Sequence, residues 1–135
     1  MLKRITRGGL VVLFTMMSLA LVATAARAAT GAVKVDSDKV CSDPIREDNS
    51  LAPSTTAYVW LNIDPSVSTR GYTYAVYDNG VLVDSGRLHF KQCSSPYDRY
   101  RYASFTTPDE PGSYTLVVYD STGATVSSDS FRVVI

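Results

Sequence analysis

Tyr72-Thr73-Tyr74-Ala75-Val76-Tyr77-Asp78-Asn79-Gly80 and Tyr114-Thr115-Leu116-Val117-Val118-Tyr119-Asp120-Ser121-Thr122-Gly123 follow one recipe. Their first seven positions agree at five places, and each run ends in a turn signal. Asn79-Gly80 tolerates the positive φ angles of a type I′ turn, the tightest link compatible with strand twist. Asp120 suits the first position of a type I turn, and Gly123 supplies the left-handed residue that must follow it. Each run therefore reads as a strand leading into a hairpin. Side-chain alternation places Tyr72, Tyr74 and Val76 on one face with Tyr114, Leu116 and Val118, which is the better core face. Thr73, Ala75 and Tyr77, with Thr115, Val117 and Tyr119, take the opposite face. Two copies of a hairpin do not make a propeller or a solenoid, so the match is not a repeat architecture.

Outward from these runs the same texture continues. From Thr56 onward Tyr, Val, Thr, Phe and Ile recur in short runs separated by Gly, Pro, Asp and Asn, with no apolar stripe at helical spacing longer than two turns. The expected strands are Ala32–Lys39, Thr56–Ile63, Tyr72–Asp78, Val81–Ser85, Arg87–Cys93, Tyr100–Thr106, Ser113–Asp120 and Ala124–Ile135. Eight short strands in about 105 residues predict an all-β antiparallel sandwich rather than a barrel.

The 135 residues hold thirteen basic and thirteen acidic side chains, but the two signs are unevenly placed. Lys3, Arg4 and Arg7 precede an uncharged stretch, Gly8–Ala26, and Ala26-Arg27-Ala28 offers the small residues that a signal peptidase reads. Residues 1–28 thus read as a secretory signal peptide, 29–55 as an N-terminal strand and acidic loop, and 56–135 as the main body of the sandwich. Cleavage after Ala28 removes four basic residues, leaving nine against thirteen acidic and a net charge of −4. That balance argues against nucleic acid, whose phosphates demand clustered Lys and Arg, and against an anionic lipid surface. Once the leader is removed, nothing long and apolar enough for membrane insertion remains. The location implied is exported, either periplasmic or extracellular. Cys41 and Cys93 are the only cysteines, so an exported chain has one disulfide to make.

Pro111-Gly112-Ser113-Tyr114-Thr115-Leu116-Val117-Val118-Tyr119-Asp120, a Pro-Gly corner opening a late strand, is followed by Ser121-Thr122-Gly123 and a terminal strand ending Phe131-Arg132-Val133-Val134-Ile135. In this the chain resembles immunoglobulin-like and fibronectin type III-like β-sandwich domains of exported bacterial proteins. The resemblance implies that this region is the last hairpin of the sandwich and that Tyr114 is a corner tyrosine whose hydroxyl bonds back to the chain. The antibody-type pattern has a Tyr two residues before the second cysteine, and Lys91 stands there instead. The bridge is therefore expected to tie a loop or edge to the sheet. No function transfers with a fold-level likeness.

No catalytic constellation is legible, and no cofactor is called for. His89, the only imidazole, lies in Arg87-Leu88-His89-Phe90-Lys91 where alternation sets it on a polar face with Arg87 and Lys91. No Gly-x-Ser-x-Gly elbow supports a hydrolase triad, which leaves a small secreted hydrolase as the alternative of another class. Asp36, Asp38, Asp43, Glu47 and Asp48 are hard oxygen ligands, but they lack the spacing and glycine of an EF-hand, so they read as a solvated acidic loop and not as a metal site. Aromatics say more. Nine tyrosines and one tryptophan are many for this length, and Tyr offers rigid area with a polar tip at recognition surfaces. Tyr77 and Tyr119 precede the matched turns on the face away from the core, where two neighbouring strands would join them into one exposed surface. A second cluster, Tyr97-Asp98-Arg99-Tyr100-Arg101-Tyr102, alternates Tyr with Arg. As a strand it puts Tyr100 and Tyr102 on one face and Arg99 and Arg101 on the other, read most simply as tyrosine in and arginine out. Trp60 sits out of phase with Leu61 and Ile63 and is expected to be half exposed. These eight residues are the candidate binding set. The function they point to is a non-catalytic exported module that binds a protein or glycan in adhesion, envelope assembly or inhibition of a secreted enzyme. A purely structural module without a ligand is the remaining alternative.

Overall fold

The repeated strand-and-turn recipe is realised as two hairpins in one sheet. The computed structural model describes residues 31–42 and 49–135. Its strands are β1 (Ala32–Asp36), β2 (Ser50–Leu51), β3 (Thr56–Asn62), β4 (Thr73–Asp78), β5 (Val81–Arg87), β6 (Lys91–Gln92), β7 (Tyr100–Thr106), β8 (Gly112–Tyr119) and β9 (Thr125–Val133). They form a four-stranded sheet in the order β1-β3-β7-β6 and a five-stranded sheet in the order β2-β9-β8-β4-β5. Leaving aside the short β2, this is the ABED and C′CFG strand order of an immunoglobulin-like sandwich. The expected signal peptide lies outside the described residues, as do Asp43, Glu47 and Asp48 of the acidic loop.

Alternation places the core as expected. Tyr72, Tyr74, Val76, Tyr114, Leu116 and Val118 are buried, and they meet Val33, Val35, Val59, Leu61, Ala103 and Phe105 of the facing sheet. The Asn79-Gly80 turn has φ of 50° and 81°, the two positive values that a type I′ turn requires. At the other hairpin Gly123 has φ of 88°, and the Asp120 carboxylate accepts from the Thr122 hydroxyl and from the backbone N–H of Thr122 and Ala124. The recipe repeats down to a bulge: the register slips between Val76 and Tyr77 against β5 and between Val118 and Tyr119 against β9. A bulge bends the strand and re-aims the side chain beside it. Here the extra residue lies in the partner strand, Val83 of β5 and Val126 of β9, opposite the step into the last tyrosine of each copy.

Tyr114 is the corner tyrosine that the resemblance implies. It is buried, and its hydroxyl donates to the Glu110 carbonyl at 2.6 Å, closing the turn into β8. Gly86 has a different duty. It pairs with Tyr74, and a Cβ there would lie 3.0 Å from the Tyr74 ring, so glycine lets that ring cross β5 and reach Asp84 with its hydroxyl.

Three strand expectations need correction. Arg87–Cys93 is not one strand: Arg87 ends β5, Leu88–Phe90 crosses between the sheets with Leu88 buried, and only Lys91–Gln92 pairs with β7. β2, absent from the sequence reading, lies parallel to the end of β9; two residues are too short to show a period. Lys39 lies beyond the end of β1, because the chain leaves the sheet after Asp36 to reach the disulfide.

That disulfide links Cys41 and Cys93, whose Cα atoms are 6.0 Å apart. It pins segment 37–42 across the outer face of the four-stranded sheet. Trp60 is consequently not half exposed but 2% exposed. Its indole N–H donates to the Asp38 carbonyl at 2.9 Å, and its ring packs 5.1 Å from Tyr102. Tyr58 meets the same Tyr102 ring edge-on. The bridge thus closes a small aromatic core outside the sandwich.

A closed loop spanning a separation of 52 residues is worth about 4 kcal/mol in the chain-entropy account. Replacing both cysteines by serine should lower unfolding stability by about that amount and shift Trp60 fluorescence to the red as its cover loosens. An unchanged emission maximum would show that the segment holds its place without the bridge. Tyr114→Phe should cost about 1 kcal/mol in the same denaturant titration, since only one hydrogen bond is lost from a buried ring.

Candidate recognition surfaces

The outer face of the five-stranded sheet follows from the register of β4 and β8. Thr73 pairs with Tyr119, Ala75 with Val117 and Tyr77 with Thr115. Tyr77 and Tyr119 therefore stand at opposite ends of a three-rung patch, roughly 13 Å apart at their Cα atoms for four residues of strand rise. Their hydroxyls nevertheless meet at 3.0 Å. Both rings must lie along the sheet and lean together above the Ala75–Val117 rung, which is why Ala75 is 5% exposed on an outward-facing position. The two tyrosines thus share one face, half-buried and linked through their hydroxyls instead of standing free as the exposed surface expected from sequence.

Between two corner arginines the outward positions around this bridge carry no charge. Outward positions on β4 and β8 are Thr73, Ala75, Tyr77, Thr115, Val117 and Tyr119. On the flanks stand Ser85 and Leu82 of β5 and Thr125, Ser128 and Ser130 of β9. Arg87 and Arg132 mark two corners. Charged residues make up 19% of the chain, so eleven neutral outward positions in one patch depart from an ordinary solvated face. At its edge Val81, Leu82 and Val83 of β5 are exposed in a row.

The second cluster divides. The period of β7 is as expected, with Tyr100 and Tyr102 on one face and Arg101 on the other, but the faces are reversed: Arg101 points inward with Ala103 and Phe105, while Tyr100 and Tyr102 face outward and are half-buried. Arg101 is 5% exposed. Its guanidinium donates to the Thr69 hydroxyl at 3.1 Å and to the Asp64 and Pro65 carbonyls at 3.2 and 3.0 Å. It is buried because β7 begins where the β3–β4 crossover passes over the end of the core, and that crossover offers carbonyls in need of donors. Arg99, one residue before β7, is exposed and donates to the Asn62 side chain. Tyr97 lies in the turn before β7, where its N–H donates to the Ser94 carbonyl. The set proposed from sequence is thus spread over both sheets: Tyr77 and Tyr119 share one surface, Tyr102 and Trp60 belong to the aromatic core under the disulfide segment, and Arg101 braces a crossover.

His89 is exposed between two hollows, and neither hollow has an acidic residue in its lining. Neither lining therefore offers the imidazole the carboxylate that a triad would use. Asp36 is buried and accepts from the Asp38 N–H, which makes it a turn-stabilising group. Among the described residues no three His, Cys, Asp or Glu side chains gather as metal ligands. Sequence reading offers no cue that Arg70 and Arg87 stand beside Arg101, because two separate crossovers bring them together.

Tyr72, Tyr74, Tyr114 and Tyr119 are all held above the ordinary tyrosine value, and two of them report on specific contacts. The hydrogen bond to Tyr77, followed by burial, holds the Tyr119 hydroxyl above its ordinary value of 10.0. Burial, reinforced by the Asp84 carboxylate, pushes Tyr74 up to about 12. Both groups are neutral in the fold and harder to ionise there than in the unfolded chain. Their contribution to stability is complete below pH 10.0 and is lost as pH rises through the raised values, toward about 12 for Tyr74. Ultraviolet titration of tyrosinate should show Tyr119 moving down toward 10.0 in Tyr77→Phe. An unmoved titration would mean that the hydroxyl pair does not persist in solution.

No family model matches the chain, and no curated protein matches it. Among solved structures, the CARDB domain of a Pyrococcus furiosus protein, in complex with di-metal ions, is 14% identical, with a TM-score of 0.38 over 78% of this chain and 92% of that one. A conjugative transposon lipoprotein from Bacteroides eggerthii is 16% identical, with a TM-score of 0.36 over 78% of this chain and 98% of that one. A superoxide reductase (neelaredoxin) from Ignicoccus hospitalis is 7% identical, with a TM-score of 0.33 over 78% of each chain. At these scores the likeness transfers neither function nor site.

Proposed function

We propose that this protein is an exported, non-catalytic recognition module that engages its partner through the outer face of the five-stranded sheet, and that the partner is a glycan. The observation that carries this reading is the Tyr77–Tyr119 bridge set among hydroxyl-bearing and apolar residues with no charge between the corner arginines. Sugars present apolar C–H faces and many hydroxyls, and a flat tyrosine pair ringed by Ser and Thr answers both needs. Preorganisation supports the reading further: the two rings are already locked by their mutual hydrogen bond, so less entropy is lost when a ligand docks. The disulfide accords with export, since such bridges persist in oxidising compartments.

A protein partner is favoured by a different observation. β5 is an edge strand with Val81, Leu82 and Val83 exposed, and an apolar edge is a template for an added strand.

The purified protein, probed on a glycan array and against secreted and cell-surface proteins, should bind a glycan. Tyr77→Ala/Tyr119→Ala should weaken that binding by about thirtyfold or more, as loss of a central aromatic pair does. Val81→Lys, which charges the edge, should leave it unchanged. If the folded double mutant binds as the parent does, the face reading is overturned. If Val81→Lys abolishes binding to a protein instead, strand addition at β5 replaces it.

A further inference from the structure

At one end of the sandwich the two crossovers between the sheets run side by side. The Leu88 N–H donates to the Tyr72 carbonyl at 2.9 Å, joining the β5–β6 passage to the end of the β3–β4 passage. Between them opens a cavity of about 590 Å³. Its lining includes Arg70, Arg87, Arg101 and His89, together with the rings of Tyr72 and Phe90. No acidic side chain lines it, although the chain as a whole has as many acids as bases. Three guanidinium groups around one cavity repel one another unless an anion offsets them.

Arg101 is the decisive member. The residue is only 5% exposed, and its three acceptors are a hydroxyl and two carbonyls, all neutral. Its Nε is buried and has no hydrogen-bond partner. Buried polar atoms left unmatched are rare, and each calls for an explanation such as strain or a partner absent from the protein itself. The Asp64 carboxylate accepts from the Ser66 N–H and hydroxyl and also attracts Arg101, so it offsets part of that charge, but it does not enter the lining.

We infer that this cavity binds an acidic sugar residue, a uronate, through its carboxylate. The forked guanidinium groups match a carboxylate in two-point geometry. A volume of about 590 Å³ far exceeds what a bare inorganic anion fills and suits a ring with substituents. Tyr72 and Phe90 supply apolar wall, and the Ser68 and Thr69 hydroxyls supply neutral partners for ring hydroxyls. The inference deepens the glycan reading and rests on it only in part. Arg87 belongs both to this cavity and to a corner of the tyrosine face, on the same rung as Tyr119 and two strands away through Thr73, so a glycan chain lying on the face reaches the cavity at its end.

The test uses the purified disulfide-bonded protein and free galacturonic acid, which is too small to cover the tyrosine face as well, with galactose as the neutral match. Calorimetric titration should detect galacturonate and not galactose. Arg70→Ser and Arg87→Ser, both at exposed positions, should each weaken it about tenfold, as loss of one charge-assisted contact does. Tyr77→Ala/Tyr119→Ala should leave galacturonate affinity intact while lowering that for a neutral oligosaccharide, so failure of the face and failure of the cavity give different patterns. Equal affinity for galactose, or wild-type affinity in both arginine variants, would overturn the proposal. Binding of polyglutamate in place of galacturonate would overturn it in favour of an acidic protein, and inorganic sulfate matching galacturonate would reduce it to a general anion pocket without sugar recognition.

Discussion

Antiparallel pairing of β4 with β8, with Tyr74 opposite Val118 and Val76 opposite Leu116, is the constraint on which the other contacts rest. In that register four large side chains enter the core together, and a slip of one residue would turn them all to water. The same register sends Thr73, Ala75, Tyr77 and their partners outward. The core and the proposed recognition face are therefore two sides of one decision. Tyr77 and Tyr119, at opposite ends of that outward set, bring their hydroxyls together across it, with a bulge in each partner strand beside them.

The two sheets have been finished differently on their outer faces. On the four-stranded sheet the outward aromatics Tyr58, Trp60 and Tyr102 are roofed by a chain segment held down by the disulfide. On the five-stranded sheet the outward aromatics roof only an alanine and a valine, and otherwise meet solvent. One face is spent on stability and the other is left for contact. This asymmetry explains why counting tyrosines is an uncertain guide to a binding surface: the rings are chemically alike, and only the covering segment distinguishes them.

Cationic groups show a parallel division. Net charge after removal of the expected leader is negative, yet the crossover end of the sandwich gathers three arginines and the histidine. Arg101 holds the Asp64–Thr69 stretch through neutral acceptors and is offset in part by the Asp64 carboxylate, while Arg70 and Arg87 add their charge to the same cavity. Average charge governs long-range behaviour, but recognition depends on local placement.

Much of the fold was legible along the chain because its signals are local. Alternation identified the core faces of β4 and β8, Asn79-Gly80 and Gly123 marked the hairpins through their φ preferences, and the Pro111–Tyr114 corner closed as the resemblance implied. A single pair of cysteines left one pairing to make, and the structure makes it. Other features depended on groups distant in sequence. Alternation separates Arg101 from Tyr100 and Tyr102 but cannot say which side is inside; that followed from the β3–β4 crossover, whose carbonyls needed the guanidinium. Trp60 had the spacing of an outward residue and was buried all the same, because a segment some twenty positions earlier folds over it and accepts its N–H. Period, turn chemistry and cysteine count are written in neighbouring residues. Which face a distant loop covers, and which charges two crossovers bring together, are settled only when the sheets pack.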